Sequence, residues 1–514
     1  MTEHEVNAAD GDAEIKRVPS HVPGLDAILC GGFLSGGVYL IQGCAGAGKT
    51  VLASQIVYSH AAQGSRALFV TVLGENHGRM MAHLRSMRFF DQSLVPDGVT
   101  YISAYQALDE NKEGLRGLTA LLAGEVRVRG AVLLVLDGLS AVEAKAGSSF
   151  EMKRFAHELQ ALALGTDCTM LLLTTPLGPQ STAERTLVDG VIELQQRIYA
   201  LRSERRLQVH KTRGSDHLEG EHAFRINQNG ITVFPRIEAR FLNPPASDGA
   251  PRMRVSSGIA SLDGLLHGGI PAATMAAVVG PAGAGKTTFG LQFLAASSAA
   301  EPGLLFGCYE SPERLRLKAE TMGLGLAAAE QQGEVELLWY PVGERILDEL
   351  AHRLLAAIQR RGVKRLVIDG ISGFQESALE RERMVRFWSV LAGQLRALGV
   401  TTLHIMEIPE LMAAEIRQPM DGVSAIAEVL ILLRFVELQS RLFRLISVFK
   451  VREGAFDPTI REFTITDAGI TVGKPFEGVE AVLSGMAREA TRAAAVIPSE
   501  DRSAEPPDRA GPPG

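Results

Sequence analysis

The chain holds 514 residues, 46% of them hydrophobic and 22% charged, with a formal net charge of −7; this is the make-up of a soluble globular protein of about three domains, and it argues against a surface dominated by nucleic-acid phosphate contacts. The cysteines Cys30, Cys44, Cys168 and Cys308 form no C-x-x-C pair, which argues against a zinc ribbon and predicts small buried hydrophobes in a reducing compartment. The opening residues are acidic and polar, unlike a secretory leader, and the longest apolar runs, 131–136 and 429–433, are strand-sized, so the expected location is cytoplasmic with no membrane span.

In chain order, residues 1–16 read as a flexible arm and 17–238 as a first domain. Within it VYLIQG (38–43) predicts a strand and KTVLASQIVYSHAAQ (49–63) a helix. RALFVTV (66–72), AVLLVLD (131–137), MLLLTTP (170–176) and VIELQQ (191–196) predict further strands. Continuous apolar runs suit strands buried on both faces, and their alternation with helices predicts a mostly parallel sheet. The basic stretch RIYALRSERR (197–206) reads as an exposed interface hairpin; without interleaved aromatics it is a poor single-strand binder. Residues 239–252, rich in Pro, Gly and Ser, form a linker. The second domain, 253–473, repeats the order with MAAVVG (275–280), a helix from Lys286, LLFGCY (304–309), RLVIDG (365–370), TTLHIME (401–407) and VLILLRFV (429–436). In the tail, 474–514, a short helix is expected over 478–496, followed by a disordered end.

The two halves are copies. LDAILCGGF (25–33) recurs as LDGLLHGGI (262–270), and GCAGAGKT (43–50) as GPAGAGKT (280–287), each 237 positions on (286 − 49 for the lysines). HKTRG (210–214) answers to KVREG (450–454), and FRINQNGITV (224–233) to FTITDAGITV (463–472), at 239 (450 − 211). Markers in one order at a near-constant offset signify a duplicated domain, the unit being too long for a solenoid.

Each half carries G-x-x-x-x-G-K-[ST]. Gly43, Gly46 and Gly48, and Gly280, Gly283 and Gly285, let the backbone curl so that successive N–H groups face phosphate oxygens, at the N-terminus of a helix. Lys49 and Lys286 then reach the β- and γ-phosphates of ATP, and the hydroxyls of Thr50 and Thr287 face Mg²⁺, with Thr288 completing the second loop. Asp137 and Asp369 end apolar strands at the carboxyl edge of the sheet, where an acid holds Mg²⁺ directly or through water. Glu75 and Glu310, after the strand next to the P-loop strand, are candidates to orient or deprotonate the attacking water. Lys211 with Arg213, and Lys450 with Arg452, alternate on a late strand, so each pair shares a face. That is either a solvated face or a pair of cations awaiting an anion, such as the γ-phosphate of a neighbouring subunit.

These strings resemble the KaiC family of RecA-like ATPases, related to the bacterial circadian clock protein. HKTRGSDHLEGEHAFRI resembles the family's first-domain ending and VFKVREGAFDPTIREFTITDAGI its second. The resemblance runs from 17 to about 472. It implies two tandem RecA-like α/β domains, each a mostly parallel twisted sheet flanked by helices. It also implies a double-ring homohexamer with ATP between subunits, Lys211 and Arg213 reaching across one ring, Lys450 and Arg452 across the other, and Glu75 and Glu310 as catalytic carboxylates. Two departures stand out. The clock members carry paired glutamates where this chain has Glu310 followed by Ser311, and in the first domain Glu75 is displaced by a residue or two. The clock members phosphorylate an adjacent Ser-Thr pair, whereas this chain has Ser424 followed by Ala425. A two-site cycle cannot run on that pair, and Ser424 remains as a candidate phosphosite. The expected function is a ring-forming, ATP-hydrolysing signalling protein with serine autokinase activity, working with a signalling protein partner of unknown identity. The alternatives are a RecA- or RadA-like DNA-dependent ATPase, for which neither the charge nor a cysteine-based zinc module speaks, and a non-hydrolysing nucleotide sensor.

Overall fold

In a computed structural model the described residues are 16–72, 77–109, 114–175, 187–242, 253–343, 345–408, 426–438, 440–452, 454–476, 479–480 and 488–489. Each half builds one nine-stranded sheet. In the first, the strands are β1 (Val38–Gly43), β2 (Ala67–Thr71), β3 (Val99–Ser103), β4 (Leu133–Asp137), β5 (Thr169–Thr174), β6 (Gly190–Tyr199), β7 (Arg202–Thr212), β8 (Glu221–Asn227) and β9 (Gly230–Phe234). In the second they are β10 (Met275–Gly280), β11 (Gly303–Gly307), β12 (Val335–Trp339), β13 (Arg365–Asp369), β14 (Thr401–Glu407), β15 (Val429–Leu438), β16 (Arg441–Val451), β17 (Arg461–Thr466) and β18 (Gly469–Pro475). The spatial orders, β3-β2-β4-β5-β1-β6-β7-β8-β9 and β12-β11-β13-β14-β10-β15-β16-β17-β18, are the same topology twice. From β3 to β6, and from β12 to β15, neighbours run parallel; the last three strands of each sheet extend it antiparallel.

The continuous apolar runs are buried on both faces, as their composition predicts. In β1, Tyr39 and Ile41 join the core beneath the helix Lys49–Ala61, while Val38 and Leu40 join the opposite core. There the helices Leu115–Arg129 and Ser149–Thr166 lie. The first of these helices stops at Gly130, whose φ of 61° is left-handed, a conformation that glycine adopts cheaply. The second starts on Ser148, whose hydroxyl accepts the Glu151 N–H and satisfies one orphan donor of the first turn. Each Leu, Ile or Val withdrawn from water in this way contributes roughly 1.5–3 kcal/mol. Among the described residues no helix is long and apolar enough to cross a membrane.

Several expectations need correction. The strand bearing Thr71 follows the P-loop strand in sequence but not in space: β4 and β5 stand between β2 and β1, so β2 neighbours the strand that ends in Asp137. Cys168 and Cys308 are buried, but Cys30 and Cys44 are exposed, because Cys30 sits at a turn of φ 51° and Cys44 in the P-loop itself. In the tail, Val479–Glu480 pairs antiparallel with Arg488–Glu489 instead of forming a helix; Gly478 and Gly485 disfavour helix there. The edge strands Val99–Ser103 and Val335–Trp339 carry too few consecutive apolar residues to stand out in the sequence.

The halves are joined by charge as well as chain. Ile237 is fully buried in the second domain's core, and its N–H donates to Asp348 Oδ1 at 3.3 Å. Arg383 bridges Asp348 Oδ1 (3.0 Å) and Glu238 Oε2 (2.7 Å). The basic hairpin meets the second domain: Arg202 donates to the Arg345 and Glu376 carbonyls, and Arg206 pairs with Glu380 at 2.9 Å. Three of its cations, Arg197, Arg202 and Arg206, are thus engaged inside the chain.

Candidate nucleotide-binding clefts

Both glycine-rich loops connect the carboxyl end of a central strand to a helix, as the motif requires. Gly48 and Gly285 precede the helices with φ of 107° and 103°. A Cβ on either would come within 2.6 Å of an isoleucine methyl, Ile226 or Ile465, at the same place in each copy. Only glycine meets both the torsion and the packing. In the first loop Lys49 Nζ folds back onto the carbonyls of Gly43 (2.7 Å) and Cys44 (3.0 Å) and onto Thr175 Oγ1 (3.2 Å). Thr50 Oγ1 donates to Asp137 Oδ2 at 3.0 Å. In the second, Lys286 Nζ donates to the Pro281 carbonyl (2.7 Å) and meets Glu407 Oε2 at 3.3 Å; Thr287 hydrogen-bonds Asp369.

The second loop opens on a cleft of about 710 Å³ whose lining includes Gly283, Lys286, Thr287, Glu310, Asp369 and Glu407. Burial pushes the Asp369 carboxyl up to about 6, with the Glu310 charge adding to the shift and the Thr287 hydrogen bond opposing it. Burial likewise lowers the Lys49 and Lys286 ammonium groups. Each cleft therefore brings together a desolvated cation and a hydroxyl–carboxylate pair of hard oxygens. Among the described residues no group of three or more His, Cys, Asp or Glu side chains could hold a metal by itself. One carboxylate and one hydroxyl, with the remaining positions left to water and phosphate, suits Mg²⁺.

Glu310 lines this cleft, with Lys318 Nζ 3.9 Å from its Oε1. Glu75 lies outside the described residues, as do Leu73, Gly74, Ser424 and Ala425. The flanking geometry still fixes the offset between the copies. The Val72 N–H to the Asp137 carbonyl and the Cys308 N–H to the Asp369 carbonyl mark one register point, both at 3.0 Å. From there to the first buried helical residue, Met80 or Leu315, the first domain is one residue longer. Counted from the helix, Glu75 matches Glu310; counted from the strand, Gly74 does.

The late-strand cations lie away from their own loops. Lys211 pairs with Val191, which pairs with Leu40, and the Arg213 N–H reaches the Asp189 carbonyl beside Val38. Lys211 Nζ donates to the Val188 carbonyl at 2.8 Å and Arg213 Nη1 to that of Leu187 at 3.4 Å, so both heads sit at the amino edge of the sheet. Gly43 is at the other edge, roughly 16 Å along the strand at 3.3 Å per residue. Lys450 repeats this, donating to the Ala427 carbonyl at 2.9 Å, with the Arg452 N–H on the Glu428 carbonyl. Burial, then the adjoining guanidinium, lowers both Lys211 and Lys450. A bulge in each strand, between Val209 and Lys211 and between Val448 and Lys450, inserts the exposed His210 or Phe449 and takes the lysine out of the alternation that buries Val209 or Val448.

The family model for the KaiC ATPase matches residues 18–238 and again 255–477. The chain belongs to the KaiC ATPase family. It is 28% identical over 484 residues to the circadian clock oscillator protein KaiC of Picosynechococcus sp., covering 92% of each chain. With KaiC of Synechococcus elongatus it shares 26% over 500 residues, 94% of this chain and 95% of the relative. With the circadian clock protein KaiC3 of Synechocystis sp. it shares 27% over 487 residues, 92% and 94%. Nucleotide binding and ATPase activity in general follow from KaiC-family membership.

The repeat relation between two arginines of this KaiC-family chain, one of them inside the basic hairpin, was not drawn from the sequence. Arg205 and Arg444, 239 positions apart, each have a buried Nε with no hydrogen-bond partner. Arg205 pairs with Gln196, two residues beyond the Leu194 that faces Gly43, so it stands past the P-loop edge. The repeat offset was the signal that could have singled them out.

Proposed function

We propose that the protein binds Mg·ATP at Gly43–Thr50 and at Gly280–Thr287, hydrolyses it, and assembles into a ring, most simply a homohexamer, in which each nucleotide is shared by neighbouring subunits. The observation that carries the reading is the doubled arrangement of loop, lysine and Thr–Asp pair, met at the same register in two independently varied copies. Gly43, Gly46 and Gly48, and Gly280, Gly283 and Gly285, give backbone N–H groups to the phosphates; Lys49 and Lys286 give their charge. Thr50 with Asp137, and Thr287 with Asp369, would hold Mg²⁺, and Thr288 lies in the same cleft. The metal would neutralise phosphate charge there.

Glu310 orients or deprotonates the attacking water in the second domain, and Glu75 serves the first. The longer connection before Glu75 favours slower hydrolysis in the first domain, with nucleotide sensing as the limiting case. Lys211, Arg213, Lys450 and Arg452 act across a subunit boundary, because each pair faces the sheet edge opposite its own loop. A γ-phosphate held by a neighbour would be a favourable anion beside two such adjoining, partly desolvated cations. Ser424 is the candidate acceptor for autokinase activity, with a signalling protein as the downstream partner in the cytoplasm.

Mass photometry with and without Mg·ATP tests the assembly: a particle several times the 55.2 kDa chain is expected with nucleotide. A monomer that still hydrolyses ATP would sink the trans assignment. Phosphosite mapping after incubation with ATP tests Ser424 separately.

A further inference from the structure

Each P-loop lysine donates to the carbonyl after its first loop glycine, that of Cys44 or Pro281, but their side-chain partners differ. Lys49 Nζ meets the neutral Thr175 Oγ1 at 3.2 Å. Lys286 Nζ meets the carboxylate of Glu407, Oε2 at 3.3 Å. The two partners come from the same place in the fold. Thr174 pairs with Gln42, so Thr175 stands level with Gly43, and Glu407 pairs with Gly280. Duplication has therefore put a hydroxyl in one copy and a charge in the other beside the first glycine of the loop. The Glu407 side chain is 60% exposed, lines the cleft and, among the described residues, makes no other ion pair, whereas that of Lys286 is 8% exposed. Its neighbours across the cleft, Glu310 and Asp369, are also acids, with Lys318 the other cation.

We infer that Glu407 sets how the second domain discriminates a nucleoside triphosphate from a diphosphate. The inference rests on the reading that Gly280–Thr287 cradles ATP. While the γ-phosphate position is empty, Glu407 is the counter-ion of Lys286. A γ-phosphate needs that same lysine and brings negative charge beside the carboxylate, so Glu407 must give up its partner and face a like charge. The α- and β-phosphates, held chiefly by loop N–H groups, feel this less. The first domain, with Thr175, pays no such penalty. The chain thus carries two sites of one geometry with different preferences for triphosphate over diphosphate.

The test is equilibrium binding of Mg·ADP and of slowly hydrolysed Mg·ATPγS to the full chain carrying Lys49→Ala, which leaves the second site to be read alone. Glu407→Gln, isosteric and at an exposed position, should tighten Mg·ATPγS about fivefold, the size of one exposed charge pair, and Mg·ADP much less. Glu407→Thr should behave alike. The reciprocal Thr175→Glu, in a Lys286→Ala chain, should weaken the triphosphate at the first site. Equal shifts for both nucleotides, or none, overturn the inference. So does a fall in ATP turnover with no gain in triphosphate affinity, which would make Glu407 part of the chemistry. If the Lys49→Ala chain with Glu407 intact binds neither nucleotide, the fault lies in the assignment of the second cleft, a failure visible before Glu407 is touched.

Discussion

The two domains have the same strand order, the same bulge before the late-strand lysine and the same isoleucine against the last P-loop glycine, yet differ around the lysine itself. Lys49 rests on carbonyls and Thr175; Lys286 rests on a carbonyl and Glu407. The connection that leads to Glu75 is a residue longer than the one to Glu310. What stays constant is what backbone geometry demands: glycines with positive φ, a lysine at the helix start, and a Thr–Asp pair spanning two elements. What varies are side chains that adjust charge without moving the backbone. A duplicated site can therefore keep its cradle and still change its affinity and rate.

The largest expected effect asks whether the domains can be treated as independent at all. Arg383→Ala leaves Asp348, 2% exposed, without its guanidinium partner. A broken buried pair costs about 3–5 kcal/mol, so thermal unfolding should shift down and split into two transitions. Burial pushes Asp348 up to about 6. Arg383 opposes that rise, so its removal pushes the carboxyl higher still; above that pH the native carboxylate is paired while the variant must keep a proton or bury an unpaired charge, so the variant should lose more stability at pH 8 than at pH 5. A single unshifted transition would mean that this cluster does not couple the halves.

Next come the lysines. Lys49→Ala and Lys286→Ala should each abolish one domain's ATP turnover, about a hundredfold or more for that site. Steady-state phosphate release from the two variants then apportions the activity. Equal residual rates would contradict the expectation that the first domain is slower.

A smaller effect follows from Asp369, pushed up to about 6 by burial. Its carboxylate, the form that would hold Mg²⁺ on the proposed reading, is lost as pH falls through that value, so the Mg²⁺ affinity of the second domain should drop by about tenfold per pH unit below it. Mg²⁺ titrations of nucleotide binding at several pH values would read this, and Asp369→Asn should flatten the dependence.

The smallest is steric. Gly46 and Gly283 have φ of 78° and 77°, with nothing within 4 Å of an added Cβ. Alanine at either should cost only the left-handed torsion, about 1 kcal/mol. Matched unfolding curves for the two variants would support equivalence of the loops; a much larger loss in one would reveal a contact specific to that copy.

The duplication, both glycine-rich loops, the buried strands and the aspartates that end two of them were legible in the sequence because they are local. A run such as VYLIQG declares a two-sided strand by composition, and the glycine spacing declares a turn before a helix. The edge strands Val99–Ser103 and Val335–Trp339, half-exposed, lack that composition and went unread. Other facts depend on which strands lie side by side: that Asp137 and Thr71 are neighbours, that Lys211 and Arg213 sit at the edge away from Gly43, and that the basic hairpin is held by the second domain's carbonyls and Glu380. The same holds for Lys286 and Glu407, which are far apart in the chain and meet only through the pairing of β10 with β14. Hydrophobic period and turn chemistry act within a few residues, whereas a counter-ion is supplied by whatever the packed sheet brings within reach.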